Sequence, residues 1–457
     1  MVTESEWGLI EMAKNMATIN LISIFEQSVN KHRDQCCFRF VEDGKWKTLT
    51  WSEVHDRVQN IAGGLKKLGL SDSDRVCILS KTCYQWTVAD LGIMAAFAVS
   101  VPIYESNTAE QAQFVIENSS AKMIFVENAV QLKKIISIQK NIPNLQQIIV
   151  FDAEPMSKKI DGIYTLDELM LLGVQGGESV YRRALKELTP NHDATFVYTS
   201  GTTGNPKGVV LTQKNILTEI EALMKVFKFS PSFEGLLFLP LAHIIARVVQ
   251  YLQIHKGFIQ CYAEGVDKLL ENIAVVKPHF MASVPRIFEK IHTRTLQNVA
   301  LSSGFKKKMF NWAYAVGRQV ALLRMAKKSV SLHLLIKNAI AHNLVFKKLH
   351  AKLGGRIKFF ISGGAPLSPE VASFFLAFGF KVLEGYGLTE TTAAISINSE
   401  DDYKIGSVGK PVGGAEIKIA ADGEILVRGG MVFNGYYKDD QATREAFDGE
   451  GWFHTAG

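Results

Sequence analysis

Cysteine is scarce in this chain. The five residues Cys36, Cys37, Cys77, Cys83 and Cys261 form no C-x-x-C pair and show no His-adjacent ligand spacing, which argues against a zinc site or a disulfide framework and fits a reducing cytosol. A membrane-spanning run is also missing. The longest apolar stretch, Leu91 to Ile103, contains Gly92 and Pro102 and falls far short of the ~20 residues a bilayer crossing needs. The opening MVTESEWGLIEMAKNM carries acidic residues and lacks the unbroken apolar stretch of a signal peptide. Acidic residues vanish altogether over one long segment, because the next acid after Glu289 is Glu370 while Lys and Arg recur between them. The net charge of +6 therefore hides a basic block in an otherwise net acidic chain.

What is present points to a large folded protein. A length of 457 residues allows about three units of ~150 residues and burial of roughly three quarters of the unfolded surface. An aromatic content of 10% excludes disorder, and 36 Gly with 12 Pro exclude a coiled coil.

From residue 20 to about 190, apolar strands alternate with amphipathic helices. WSEVHDRVQNIAGGLKKLG reads as a helix with Ser52 as N-cap, Glu53 in the first turn and a stop at Gly69. DRVCILS, AKMIFVEN and LQQIIVFD read as short buried strands, so the layout is α/β, a mainly parallel sheet covered on both faces. A second series starts with ATFVYTS, a strand expected to run through a Gly-rich loop into the helix QKNILTEIEALMKVF. RIKFFISGGAP and KVLEGYG add strand ends, and SPEVASFFLAFG is a helix capped by Ser368 with Pro369 in its first turn. Parallel sheets of this kind receive ligands outside the carboxyl ends of their strands, and all three loops lie at such ends. From about 395 the texture changes to short strands with Gly turns, expected to form a small β subdomain of about 60 residues.

The strongest chemical signal is Tyr198-Thr199-Ser200-Gly201-Thr202-Thr203-Gly204-Asn205-Pro206-Lys207-Gly208. Glycines let backbone amides approach an anion, the hydroxyls add donors, and Lys207 supplies a point charge, a combination suited to a polyphosphate. It is not a Walker A loop, since Pro206 precedes Lys207. The plain alternative is a polar surface loop. In Glu384-Gly385-Tyr386-Gly387-Leu388-Thr389-Glu390-Thr391-Thr392, a flat ring between glycines can stack on a purine and Glu390 is a hard oxygen ligand suited to Mg²⁺. Taken alone, the same run fits a tight turn with an exposed Glu. Ser362-Gly363-Gly364-Ala365-Pro366-Leu367 can let a planar base lie against backbone, or is ordinary turn chemistry before a capped helix. His243, in Leu239-Pro240-Leu241-Ala242-His243, fits orientation of a carboxylate, the lining of an acyl tunnel, or a purely structural histidine.

YTSGTTGNPKG, EGYGLTET and GWFHT, in that order and at these separations, resemble the adenylate-forming superfamily of acyl-CoA synthetases, luciferases and peptide-synthetase adenylation domains. LPLAHIIAR, SVPRIFEKI and a helical insertion at 300–350 resemble its long-chain fatty acid CoA ligase branch. The resemblance covers essentially the whole chain. It implies the large N-terminal domain of that fold: two mainly parallel sheets flanked by helices in layers, plus a small β-barrel-like subdomain, with approximate divisions 1–190, 191–394 and 395–457. It implies ATP-dependent activation of a fatty acid to acyl-adenylate and pyrophosphate, then displacement of AMP by coenzyme A. Carried over, Thr199, Ser200, Gly201, Thr202, Thr203 and Gly204 with Lys207 would cradle the β- and γ-phosphates. Ala365, Glu384, Gly385 and Tyr386 would contact adenine, and Thr389 the α-phosphate. Glu390 with the Thr199 hydroxyl would hold Mg²⁺, while His243, Gly363 and Gly364 would line the acyl site. Lys207, Thr389 and Glu390 would carry the chemistry, which is positioning and charge neutralisation at phosphorus without a protein nucleophile.

Two departures qualify this expectation. The family continues from the Trp-Phe-x-Thr block into a ribose-binding Asp, a hinge and a small domain with a catalytic Lys. Here Ala456 and Gly457 follow Thr455, so a truncated domain of low activity is expected. A tunnel-gating Trp found in some long-chain members has no counterpart in IIARVVQYLQIHKG. Other readings are adenylation of an aryl or amino acid, the latter needing an acidic anchor that the sequence does not locate, and a non-catalytic nucleotide- or acyl-binding protein.

The segment from Gly304 to Gly355 reads as two or three helices whose Lys/Arg clusters beside Phe310, Trp312 and Tyr314 suit an anionic membrane surface. The alternative is a solvated helical face packed on the body of the protein. Nucleic-acid binding lacks any accompanying module, and a cytoplasmic enzyme with peripheral membrane contact is the expectation.

Overall fold

The computed structural model describes residues 19–152, 160–199 and 205–455. The N-terminal stretch, the loop residues Ser200, Gly201, Thr202, Thr203 and Gly204, and the final Ala456 and Gly457 lie outside the described residues.

Short runs of Val, Ile and Phe buried on both faces form the central strands, as parallel strands sandwiched between helices require. Met123–Val126 and Val99–Ile103 are buried at every position. The first sheet has seven strands in the order Ile163–Thr165, Gln147–Val150, Met123–Val126, Arg75–Leu79, Val99–Ile103, Asp193–Thr199 and Lys207–Thr212. All its pairings are parallel except the last, an antiparallel hairpin. The second has nine: Lys410–Pro411, Ser396–Ile397, Lys381–Tyr386, Phe359–Ser362, Phe280–Ser283, Glu234–Leu237, Ile259–Tyr262, Cys36–Glu42 and Lys45–Thr50. Its middle is parallel and its edges antiparallel. A core that includes fully buried Trp51, Trp86, Phe25 and Phe258 runs through the molecule.

Several local expectations are corrected. The helix Trp51–Lys67 is capped by Thr50 rather than Ser52, through a reciprocal capping box with Glu53, because the Ser/Thr-x-x-Glu spacing counts from Thr50. The donor-rich loop joins two antiparallel strands instead of a strand and a helix. The helix Gln213–Val226 begins only after the second of them. The division near 190 does not follow the sheets, since Cys36–Thr50 belongs to the second sheet and Asp193–Thr212 to the first. Beyond 395 the expected barrel-like unit is a three-stranded antiparallel sheet of Glu416–Ile419, Ile425–Arg428 and Phe453–His454. The preceding short strands add instead to the edge of the second sheet, and a helix, Asp440–Ala446, interrupts the strands.

Candidate active site

The hairpin Asp193–Lys207–Thr212 projects from the first sheet, and the strand Lys381–Tyr386 delivers Gly387 to Glu390 from the carboxyl end of the second. Between them lies a cavity of about 780 Å³. Thr199, Lys207, His243, Gly364, Thr389 and Glu390 all line it, so residues far apart in sequence do share one chamber.

The charges are set against each other by a residue the sequence reading passed over. Tyr436 donates its hydroxyl to Glu390 Oε1 at 2.9 Å, and its ring lies 5.0 Å from Lys207 Nζ. Backbone pairing places it there: Tyr437 N–H donates to Gly208 O, and Val210 N–H to Gly435 O. The tyrosine pair thus forms an extra rung on the hairpin that carries Lys207. A Gly-Tyr-Tyr run after a β turn was the only sequence signal available for it. Burial and the neighbouring Glu390 carboxylate raise the Tyr436 phenol well above its usual value, so it stays a donor at neutral pH.

Close packing holds the Gly387–Glu390 turn. A Cβ on Gly387 would stand 1.5 Å from Ala393 O, so only glycine lets the strand pass. Thr391 accepts from Leu388 N–H, and Thr392 donates to Met431 O at 2.6 Å. Beneath, the fully buried Glu219 accepts from Ala394 N–H at 2.9 Å. Its second oxygen has no partner among the described residues, and burial pushes its carboxyl well above the usual range. Glu219, too, was invisible in a helix that reads as ordinary amphipathic sequence.

His243 is the N-cap of the helix Ile244–Lys256, its Nδ1 accepting from Ile245 N–H. Burial holds its imidazole below the usual range, so at neutral pH it is uncharged with its remaining proton on Nε2. The helix is anchored by a wholly buried pair, Arg247 and Asp90, at 2.6 Å. Arg247 also donates to Ser100 and Thr195 of the first sheet, and Tyr251 to Asp90. One guanidinium therefore fixes where His243 stands relative to the hairpin.

Gly363, Gly364, Gly385 and Tyr386 line a second, apolar cavity of about 50 Å³ with Ile245, Val248 and Leu252, space for only a few water-sized groups. Gly364 has φ +82°, a conformation open to glycine. Tyr386 donates to Thr455 Oγ1 at 3.4 Å. Glu384 is buried, and its carboxylate accepts Leu367 N–H at 2.9 Å. It organises the Gly363–Leu367 turn, and neither buried Glu384 nor exposed Ala365 lines either cavity.

The donor set suits a metal carried in on phosphate. No cluster of three or more His, Cys, Asp or Glu ligands occurs among the described residues, and Mg²⁺ characteristically takes one or two carboxylates and completes its shell with phosphate oxygens and water. Glu390, with one oxygen left by Tyr436, and the Thr199 hydroxyl are the groups that fit.

A two-sheet α/β body with a cation, a carboxylate and hydroxyls gathered at the strand ends defines a nucleotide-using enzyme of the adenylate-forming class. Residues 25–437 match the family described as AMP-binding enzyme, and the chain belongs to that family. It is 37% identical over 430 residues to long-chain-fatty-acid–CoA ligase FadD15 of Mycobacterium bovis, covering 92% of this chain and 69% of that protein. It is 32% identical over 456 residues to long-chain-fatty-acid–CoA ligase ACSBG2 of Xenopus laevis, covering 96% of this chain and 61% of that one. The inhibitor-bound N-terminal domain of FACL13 from Mycobacterium tuberculosis shares the fold, with a TM-score of 0.69 at 20% identity over 95% of each chain.

Proposed function

We propose that the chain is the nucleotide- and acyl-binding part of an AMP-forming long-chain fatty acid CoA ligase. A fatty carboxylate attacks the α-phosphate of ATP, the bond to pyrophosphate breaks, and acyl-adenylate forms; the coenzyme A thiol then displaces AMP. Lys207, with Thr199 and the loop Ser200–Gly204, holds the β- and γ-phosphates. Thr389 faces the α-phosphate, and Glu390 with Thr199 would hold Mg²⁺, which would neutralise phosphate charge when bound. Tyr386 and Gly385 offer the base a flat wall, and Ala365 and Glu384 act through the turn beside it. His243, neutral and donating from Nε2, with Gly363 and Gly364, borders the acyl entrance. The cell's cytoplasmic face, with peripheral contact to an anionic membrane, is the place where such an enzyme meets an insoluble substrate.

The observation that carries this reading is that Tyr436 contacts both Lys207 and Glu390 in the lining of a cavity that His243 also lines. An amino-acid substrate is disfavoured because the adjoining slot is walled by Ile245, Val248, Leu252 and glycines, with no Asp or Glu among the described residues to meet an ammonium. The slot must also widen to take a long chain, with Ile245, which lines both cavities, at the junction. The test is pyrophosphate exchange into ATP with acetate, fatty acids of increasing length, aromatic acids and amino acids. Exchange that rises with aliphatic length is expected; exchange driven by an amino or aryl acid, or by none, would overturn the proposal.

A further inference from the structure

The basic insertion packs on the body through Ala313, Val316, Gly317 and Val320 of the helix Gly304–Met325, against the helix Pro369–Ala377. Phe310 and Tyr314, two of the aromatics expected to face a membrane, turn inward onto Phe378 at 5.6 and 6.0 Å between ring centroids. The outer side is different. A cleft of about 310 Å³ opens there between the helices Pro285–Ala300, Gly304–Met325 and Lys347–Lys352. Its floor is apolar, built from Phe310, Phe378, Val299, Met309, Val345 and Leu349. Lys306, Lys348 and Lys352 stand on its rim, and no Asp or Glu lines it.

Beside the mouth, Leu301 is 88% exposed and Phe305 76% exposed. Leu301 closes the helix Pro285–Ala300 and Phe305 lies in the first turn of the helix Gly304–Met325, so the two open side chains flank the short link between these helices and Lys306, Lys307 and Lys308 follow at once, a pairing of apolar and cationic groups suited to an interfacial contact. Fifteen Lys and Arg and no Asp or Glu fall between residues 290 and 369, and of these Arg356 is paired, with Glu234 at 3.0 Å. The remaining cations find no counter-charge within the segment.

We propose that this face seats on an anionic phospholipid membrane, Leu301 and Phe305 entering the interface while one acyl chain lies in the cleft with its phosphate among Lys306, Lys348 and Lys352. Apolar depth with a cationic rim matches an amphiphile carrying one tail and an anionic head, and the charge of the whole segment favours a surface dense in such heads. The purpose of the contact rests on the fatty acid reading, since it would bring the enzyme to the phase where its substrate dissolves; the geometry does not.

The test is co-sedimentation of the chain with vesicles of phosphatidylcholine alone or mixed with phosphatidylglycerol, at low salt. Binding is expected only to the mixed vesicles. Lys306→Gln/Lys348→Gln/Lys352→Gln should weaken it by about a hundredfold, roughly fivefold per cation, and Leu301→Ser/Phe305→Ser should weaken it as well. A control that removes the same charge elsewhere on the insertion, Lys327→Gln/Lys328→Gln/Lys337→Gln, should weaken it markedly less. Equal binding to both vesicles, or equal losses in the two triple variants, would overturn the cleft. Decanoate-dependent pyrophosphate exchange, measured without vesicles, should be unchanged in the rim variant. Its absence in the parent chain would sink the activation reading while leaving vesicle binding to be judged separately.

Discussion

Tyr436 sets the spacing between the two charges that a metal-bound polyphosphate would bridge, holding Glu390 through its hydroxyl and Lys207 over its ring. Lys207→Ala or Glu390→Ala is expected to lower fatty-acid-dependent pyrophosphate exchange by ~100-fold or more, the scale of losing one electrostatic contact in a transition state. Normal exchange in both would dissolve the site assignment. Tyr436→Phe keeps the ring beneath the ammonium and removes only the hydrogen bond to a charged acceptor, worth about 1.5–3 kcal/mol. A loss of about tenfold is expected, together with a higher Mg²⁺ requirement in a titration of exchange rate; an unmoved Mg²⁺ curve would mean that Tyr436 does not position the ligand. Gly387→Ala should abolish exchange more completely than its size suggests, because the added carbon has Ala393 O in its place.

At the scale of elements, a buried ion pair holds the helix Ile244–Lys256 to Asp90 of the helix Tyr84–Ala95, and the same guanidinium bonds the first sheet. Removing one member leaves the other buried and unpaired, which costs about 3–5 kcal/mol, whereas an apolar pair of similar volume is often neutral. Asp90→Ala should therefore lower the denaturant midpoint sharply, and Asp90→Leu/Arg247→Met should recover most of it; a double variant as weak as the single would show that the charges themselves are needed. The helix Gln213–Val226 supports the Thr389–Ala394 turn through Glu219. Its carboxyl is raised well above the ordinary 4.5, so its contribution is fully present below the unfolded value and is lost as pH climbs towards the folded one. Glu219→Gln keeps an acceptor for Ala394 N–H and has nothing to ionise. Its melting temperature relative to the parent should rise with pH from about 5 upward; a constant difference across that range would mean that the buried carboxyl does not titrate.

For the whole molecule, each sheet borrows strands from the other half of the chain. A fragment of residues 1–190 would leave the strand Val99–Ile103 without its neighbour Asp193–Thr199 and would strand Cys36–Thr50 away from Ile259–Tyr262. It is expected to show no cooperative thermal transition by circular dichroism, and a sharp one would contradict the interlocked design. The sequence alone determined that strands and helices alternate, that Gly- and hydroxyl-rich segments follow strands, and that Lys207, Tyr386 and Glu390 are candidates for phosphate, base and metal, because periodicity, turn residues and side-chain charge are local properties. Only the tertiary structure decided which strands pair, that Asp193–Thr199 and Lys207–Thr212 form a hairpin, that Phe310 faces inward while Phe305 faces out, that Tyr436 lines the cavity and that Glu219 braces the turn beside it. Those depend on burial and on contacts between residues far apart in sequence, where one side chain's role is set by a neighbour that no local pattern names.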